Sequence, residues 1–283
     1  MTTLEKIERV LGARQILYTL LVLAIVIPLL NPIGLPIGIS SRTRAVYDYI
    51  NTKLTPGSPV FVDLSYEMAA RGELEPQIIA ITKQLFETGH KIVFMGTSNY
   101  APLVFSLIQS LAPDLFANKE YGKDYVFLGY IAGGESAVTS LAKSISQTIA
   151  VDNYGNPISS LPLMSTADKA TDYGLVIIVS AGTDTFGYYV RQFYTPFGSK
   201  LLFGALSVIA PSIEPYVGAG QCIGMLSGQR MAAEYELLVG RKGLGSSSMD
   251  AQSFAHGLIL AFVILGNVVY LYSTVVSKRG EKK

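Results

Sequence analysis

The residues best suited to chemistry are acidic or hydroxyl-bearing, and they fall in five short stretches: DLSYE from Asp63, GTSN from Gly96, AGGES from Ala132, SAGTD from Ser180 and APSIE from Ala210. Each closes an apolar run that reads as a strand. Ligands of open α/β sheets bind at the carboxyl ends of the strands. Asp63, Glu67, Glu135, Asp184 and Glu214 are therefore expected to converge on one crevice, together with Ser65, Thr97, Ser98, Ser136 and Thr183. Such an acidic crevice suits a divalent cation or a cationic ligand. The same residue types also cap helices whether or not anything binds.

None of the five stretches carries Lys or Arg, and neither G-x-G-x-x-G nor a P-loop occurs. A phosphate would have to rely on backbone N–H groups, notably those of Gly133 and Gly134. No organic cofactor is expected. Zinc-type Cys and His spacings are absent, and the lone Cys222 reads as a packing residue.

GGESA, from Gly133, approaches the G-x-S-x-G pattern of a nucleophile elbow, but Val138 stands where the closing glycine belongs. Ser136 would also need a base. Of the two histidines, His90 opens a strand at the edge opposite the crevice and His256 lies at a membrane boundary. Lys143 is a further seven positions along the helix, about 10 Å away. Ser136 therefore reads as a helix cap rather than a nucleophile.

The elements that must position these groups alternate. PVFVDLS, KIVFMG, YVFLGYIAG, GLVIIVSAG and LLFGALSVIAP read as five strands, separated by helical segments such as PQIIAITKQLFETG, which has Pro76 in its first turn. This pattern predicts an α/β, Rossmann-like three-layer domain over 59–240, with a mostly parallel sheet of about five strands. A re-entrant hydrophobic segment is the alternative for LLFGALSVIAPSI. Residues 150–173 read as a surface excursion with a tight turn at Asn153–Pro157.

After the fifth strand, Gly220, Gly224, Gly228 and Ala232 recur at every fourth position. On a helix they would form a bare stripe for close packing against the sheet or another subunit; a non-helical glycine-rich loop is the other reading.

Two spans are expected. Residues 16–39 form an uncharged stretch of about 24 residues, in which Pro28, Pro32 and Pro36 end or kink the helix near Asn31; residues 255–277 form the second. Asn267 lies near the middle of the second span and should find a partner on another helix. An amphipathic interfacial helix (1–15) precedes the first span. A helical connector (40–58) with Ser41 as cap leads into the domain, and a linker (241–254) and a basic tail (278–283) flank the second span. A signal peptide is the rival for the first span, but its apolar core is too long and no clear cleavage site follows.

Lys and Arg number seven beside the spans on the terminal side and five on the domain side. That asymmetry favours cytoplasmic termini and an extracytoplasmic domain. A formal charge of +1 and a charged fraction of 15% argue against a nucleic-acid partner. The leading expectation is a membrane-anchored scaffold or binding module, homo-oligomeric in the lipid bilayer and open to membership of a larger membrane complex. The second is a membrane-tethered enzyme, or a receptor for a small ligand or divalent cation, using the crevice.

Overall fold

Six apolar runs become strands: β1 (Pro59–Ser65), β2 (Lys91–Gly96), β3 (Tyr125–Tyr130), β4 (Leu175–Ser180), β5 (Leu201–Ala205) and β6 (Gly224–Ser227). They form one parallel sheet in the order β3-β2-β1-β4-β5-β6. The sheet is buried on both faces, which is why its strands are continuous β-branched and aromatic runs rather than alternating ones. Val60, Val62 and Leu64 of β1 join one core layer, and Phe61 joins the other with Val93 and Met95 of β2. This is a computed structural model, and it describes residues 14–280. Residues 36–245 make one unit; the two terminal segments, through Leu35 and from Ser246, make another.

Besides single turns at Pro113–Phe116 and Ile145–Thr148, the helices of the first unit are α2 (Ser41–Thr52), α3 (Arg71–Glu87), α4 (Ala101–Leu111), α5 (Glu135–Lys143), α6 (Thr183–Tyr189), α7 (Ala210–Gly218) and α8 (Gly228–Leu238). A π turn over Val190–Tyr194 and a last turn over Thr195–Phe197 continue α6. Helix α2 is capped by Ser40, not Ser41: the Ser40 side chain accepts the Thr43 N–H. Helix α3 begins five residues before Pro76 rather than at it. Proline has no N–H for the carbonyl four residues back, and the Gly72 carbonyl accepts from Gln229 Nε2 at 3.4 Å instead. The excursion at 150–173 is a single antiparallel bridge between Val151 and Pro157, followed by three short 3-10 turns.

Gly220, Gly224, Gly228 and Ala232 do not line one helix. Gly220 lies in the turn after α7 with a φ of 68°, Gly224 opens β6, Gly228 opens α8 with a φ of 69°, and Ala232 is buried within α8. Positive φ is accessible to glycine at little cost and interrupts a helix, so the four residues occupy three elements and share no helical face. Their closeness is used inside this unit. A Cβ on Gly224 would stand 2.7 Å from Val46 Cγ2 of α2, and one on Gly228 would stand 2.9 Å from Ser207 Cβ. The run LLFGALSVIAP is a strand only to Ala205, and its second half enters α7.

In the terminal unit, α1 (Arg14–Leu30) ends where Asn31 and Pro32 break it, so 32–40 is not helical. The C-terminal helix α9 (Leu244–Gly280) is continuous, and residues expected as a linker form its first turns. Over Leu244–Tyr272 it is long and apolar enough to cross a membrane. Among the described residues it is the only helix that is; α1, with 17 residues, is apolar but shorter. Asn267 donates through Nδ2 to Val263 O of its own helix at 2.7 Å. Asp250 of α9 is buried and accepts the N–H groups of Gly34 and Leu35 at 2.7 and 2.8 Å. The expected interfacial helix at 1–15 falls almost wholly outside the described residues, as do the last three residues of the basic tail.

Candidate functional site

The sheet order changes direction at β1 and β4, whose neighbours lead away to opposite edges, and a crevice outside the carboxyl ends of such strands is where this architecture binds ligands. A cleft of about 370 Å³ is found there. The loop after β1 supplies Ser65, Tyr66 and Glu67, the loop after β2 supplies Thr97 and Ser98, and the chain leaving β4 supplies Ser180, Ala181, Gly182 and Thr185. Of the residues expected in the crevice, Ser65, Glu67, Thr97 and Ser98 line it.

Asp63 lies behind this wall. It is two residues before Ser65 and on the same face of β1, fully buried. Its Oδ1 accepts the Ser65 hydroxyl, and the Thr97 N–H points at it from 3.3 Å. Oδ2 has no hydrogen-bond partner. The Tyr189 hydroxyl, from the last turn of α6, lies near the carboxyl and reaches the Met95 sulfur at 3.7 Å. Burial pushes the Asp63 carboxyl up to about 6, against the opposing pull of the Ser65 hydroxyl, the nearby Tyr189 hydroxyl and the Thr97 N–H.

The hydroxyls of the cleft are tied to one another. Thr97 N donates to Ser65 Oγ at 2.8 Å, and the Ser65 and Thr97 hydroxyls are 2.7 Å apart. Ser180 Oγ donates to the Gly182 carbonyl and accepts the Gly182 N–H, both at 3.1 Å.

Of the expected acidic residues, Glu135, Glu214 and Asp184 do not join Asp63 and Glu67. Glu135 opens α5 and is held by Arg191 through two hydrogen bonds of 2.7 Å, with Gln192 Nε2 on the same carboxylate at 3.0 Å. The Arg191 guanidinium holds the Glu135 carboxyl down to about 2. Arg191 and Gln192 are adjacent in sequence and reach one carboxylate from the π turn that widens this helix. Glu214 of α7 is paired with Arg42 of α2 at 2.8 Å. Thr183 and Asp184 are exposed in the first turn of α6, outside the cleft lining. Gly133 and Gly134, with φ of 122° and 54°, make the turn into α5, and Ser136 is an exposed second residue of that helix rather than its cap. Among the described residues, no three of His, Cys, Asp and Glu come together as a metal site.

Ser180 and Gly182 are part of the SAGTD strand end, so the rule that found Ser65 reaches them too. Tyr66 is likewise within DLSYE. Thr185 has no such signal, because it enters the cleft from within α6. His90 is buried at the opposite end of β2, with Nδ1 3.2 Å from the Ser58 carbonyl, and desolvation lowers its pKa. Cys222 is buried, and its thiol is pushed up to about 11 by desolvation. No family model, curated protein or solved structure matches the chain.

Proposed function

We propose that the chain is a membrane-anchored binding module for a small polar ligand, seated in the cleft between the ends of β1, β2 and β4. The observation that carries this reading is the position of that cleft at the switch point, with the buried Asp63 carboxyl directly behind its hydroxyl wall. The sheet order is that of dinucleotide-binding domains, but the β1–α3 connection has no glycine before Gly72 and so lacks the turn that brings backbone to a pyrophosphate. The ligand is accordingly smaller than a dinucleotide. In this reading α9 crosses the bilayer and α1 lies in it as the second arm of a hairpin. Both termini are cytoplasmic, and the α/β unit is on the other side.

The test compares thermal stability of the detergent-solubilised protein and a Gly182→Trp variant across a panel of small polar molecules. Gly182 has an ordinary extended backbone, and a Cβ there meets only Ser180 Oγ, at 3.9 Å. The indole therefore fills the cleft without straining the chain. A compound at 100 times its dissociation constant adds about 2.7 kcal/mol to the wild type; it should add nothing to the variant. Equal responses in both would sink the proposal.

A second reading, self-association as a scaffold, is favoured by Asn267, a polar residue exposed on the apolar α9. Amides in such positions join helices across subunits. Mass measurement in detergent should show an oligomer that Asn267→Leu weakens, and a monomer in both would dismiss it.

A further inference from the structure

The geometry points to a small organic cation bearing a primary ammonium as the occupant of the cleft; this rests on the binding-module reading and specifies its ligand class. A serine or threonine hydroxyl has one proton to donate and two lone pairs to accept with. Asp63 Oδ1 takes the Ser65 proton. Ser65 Oγ must then accept in both of its remaining contacts, from the Thr97 N–H and from the Thr97 hydroxyl. The Thr97 proton is thereby committed as well, and Thr97 Oγ1 turns lone pairs outward. Ser180 has likewise committed its proton, to the Gly182 carbonyl.

Two hydroxyls on opposite sides of the cleft, Thr97 and Ser180, thus offer only acceptors. Glu67, at the rim, is a third acceptor and the only charged residue of the lining. No Lys, Arg or His lines the cleft, and among the described residues Asp63 forms no ion pair. Ser98 and Tyr66 keep hydroxyl protons of their own, but the acceptors of Thr97 and Ser180, the Glu67 carboxylate and the carboxylate of Asp63 behind them give a lining whose charge disfavours phosphate and carboxylate groups. It matches an ammonium, which has three donors and no acceptor.

Putrescine, 1,4-butanediol and inorganic phosphate separate the possibilities, because the diol keeps the length of the diamine without its charge. Titration calorimetry on the full-length protein in detergent at pH 7.5 is expected to show putrescine binding, the diol weaker by tenfold or more, and no phosphate binding. Thr97→Val keeps the backbone N–H and the branched shape but removes Oγ1, and should weaken putrescine about tenfold. Ser180→Ala provides the same test should Thr97→Val fail to fold. Binding of the diol or phosphate as tight as that of putrescine would overturn the cation and leave the cleft standing. Silence with putrescine would also overturn the cation. Putrescine binding as tightly to Gly182→Trp as to the wild type would remove the cleft itself.

Discussion

The Thr97 N–H, at the end of β2, lies 3.3 Å from a carboxylate oxygen of Asp63, on the neighbouring strand β1 and 34 positions earlier in the chain. Asp63 thereby holds the ends of two strands in register at the point where the cleft opens. A buried carboxylate without a cation is a costly way to do so, and the cost gives the residue a measurable signature.

Because burial raises the Asp63 carboxyl from 3.8 to about 6, the folded protein holds this proton more tightly than the unfolded chain. The resulting stabilisation is complete below the ordinary value and is lost as pH rises through about 6. Its size is about 3 kcal/mol. Asp63→Asn, which has no proton to lose, should match the wild type near pH 4 and melt at a higher temperature above pH 6. Melting curves from pH 4 to 8 check this; a wild type whose stability at this site rises with pH would contradict it.

Glu234 of α8 performs the opposite task. Buried to 1% exposure, its Oε2 accepts from Ser40 N, Ser40 Oγ and Thr43 Oγ1 at 3.0, 2.7 and 2.6 Å, which fastens the first turn of α2. These hydrogen bonds and that from Arg230 hold its pKa below the ordinary value, despite desolvation. The stabilisation is therefore present above the ordinary carboxylate range and lost as pH falls. Glu234→Leu leaves three donors without an acceptor and should cost about 3 kcal/mol. Denaturant unfolding at pH 7 reads that loss, and the difference between variant and wild type should shrink toward pH 4.

Long apolar runs were legible as strands. PVFVDLS and KIVFMG have no helical periodicity, and their ends in Ser and Gly mark where the chain turns. β6 was not, because GMLS is only four residues long and stands among glycines whose spacing imitates a helix face. For the site, the strand-end rule located Ser65, Thr97 and Ser98. It could not distinguish Asp63, which is buried behind them, from Glu135 and Glu214. Those two are neutralised by Arg191 and Arg42, 56 and 172 positions away. Such pairings are fixed by tertiary packing and leave no local pattern.

Asp250 makes a comparable clasp in the terminal unit, where its two oxygens accept the N–H groups of Gly34 and Leu35. The Pro32–Pro36 stretch has no regular structure to satisfy those groups. Asp250→Ala should destabilise this segment by about 2 kcal/mol. Hydrogen exchange at Gly34 and Leu35 should accelerate while exchange within β1 stays unchanged. Unchanged protection at both residues would show that the clasp is not what orders them.

Gly224 supplies a test of what the small residues after the fifth strand are for. Its backbone passes so close to α2 that an added Cβ would stand 2.7 Å from Val46 Cγ2. Val46 is fully buried, and its branched side chain has little rotamer freedom with which to yield. Gly224→Ala should therefore destabilise by about 1–3 kcal/mol through overpacking. Val46→Ala alone leaves a cavity and costs stability for the opposite reason. Combined, the new methyl enters the space that valine vacates, so the double variant should be more stable than the sum of the two single losses implies. Unfolding measurements on the four proteins of this cycle decide the matter. Strict additivity would mean that β6 and α2 move apart freely, and that the glycine at 224 is not there for close packing.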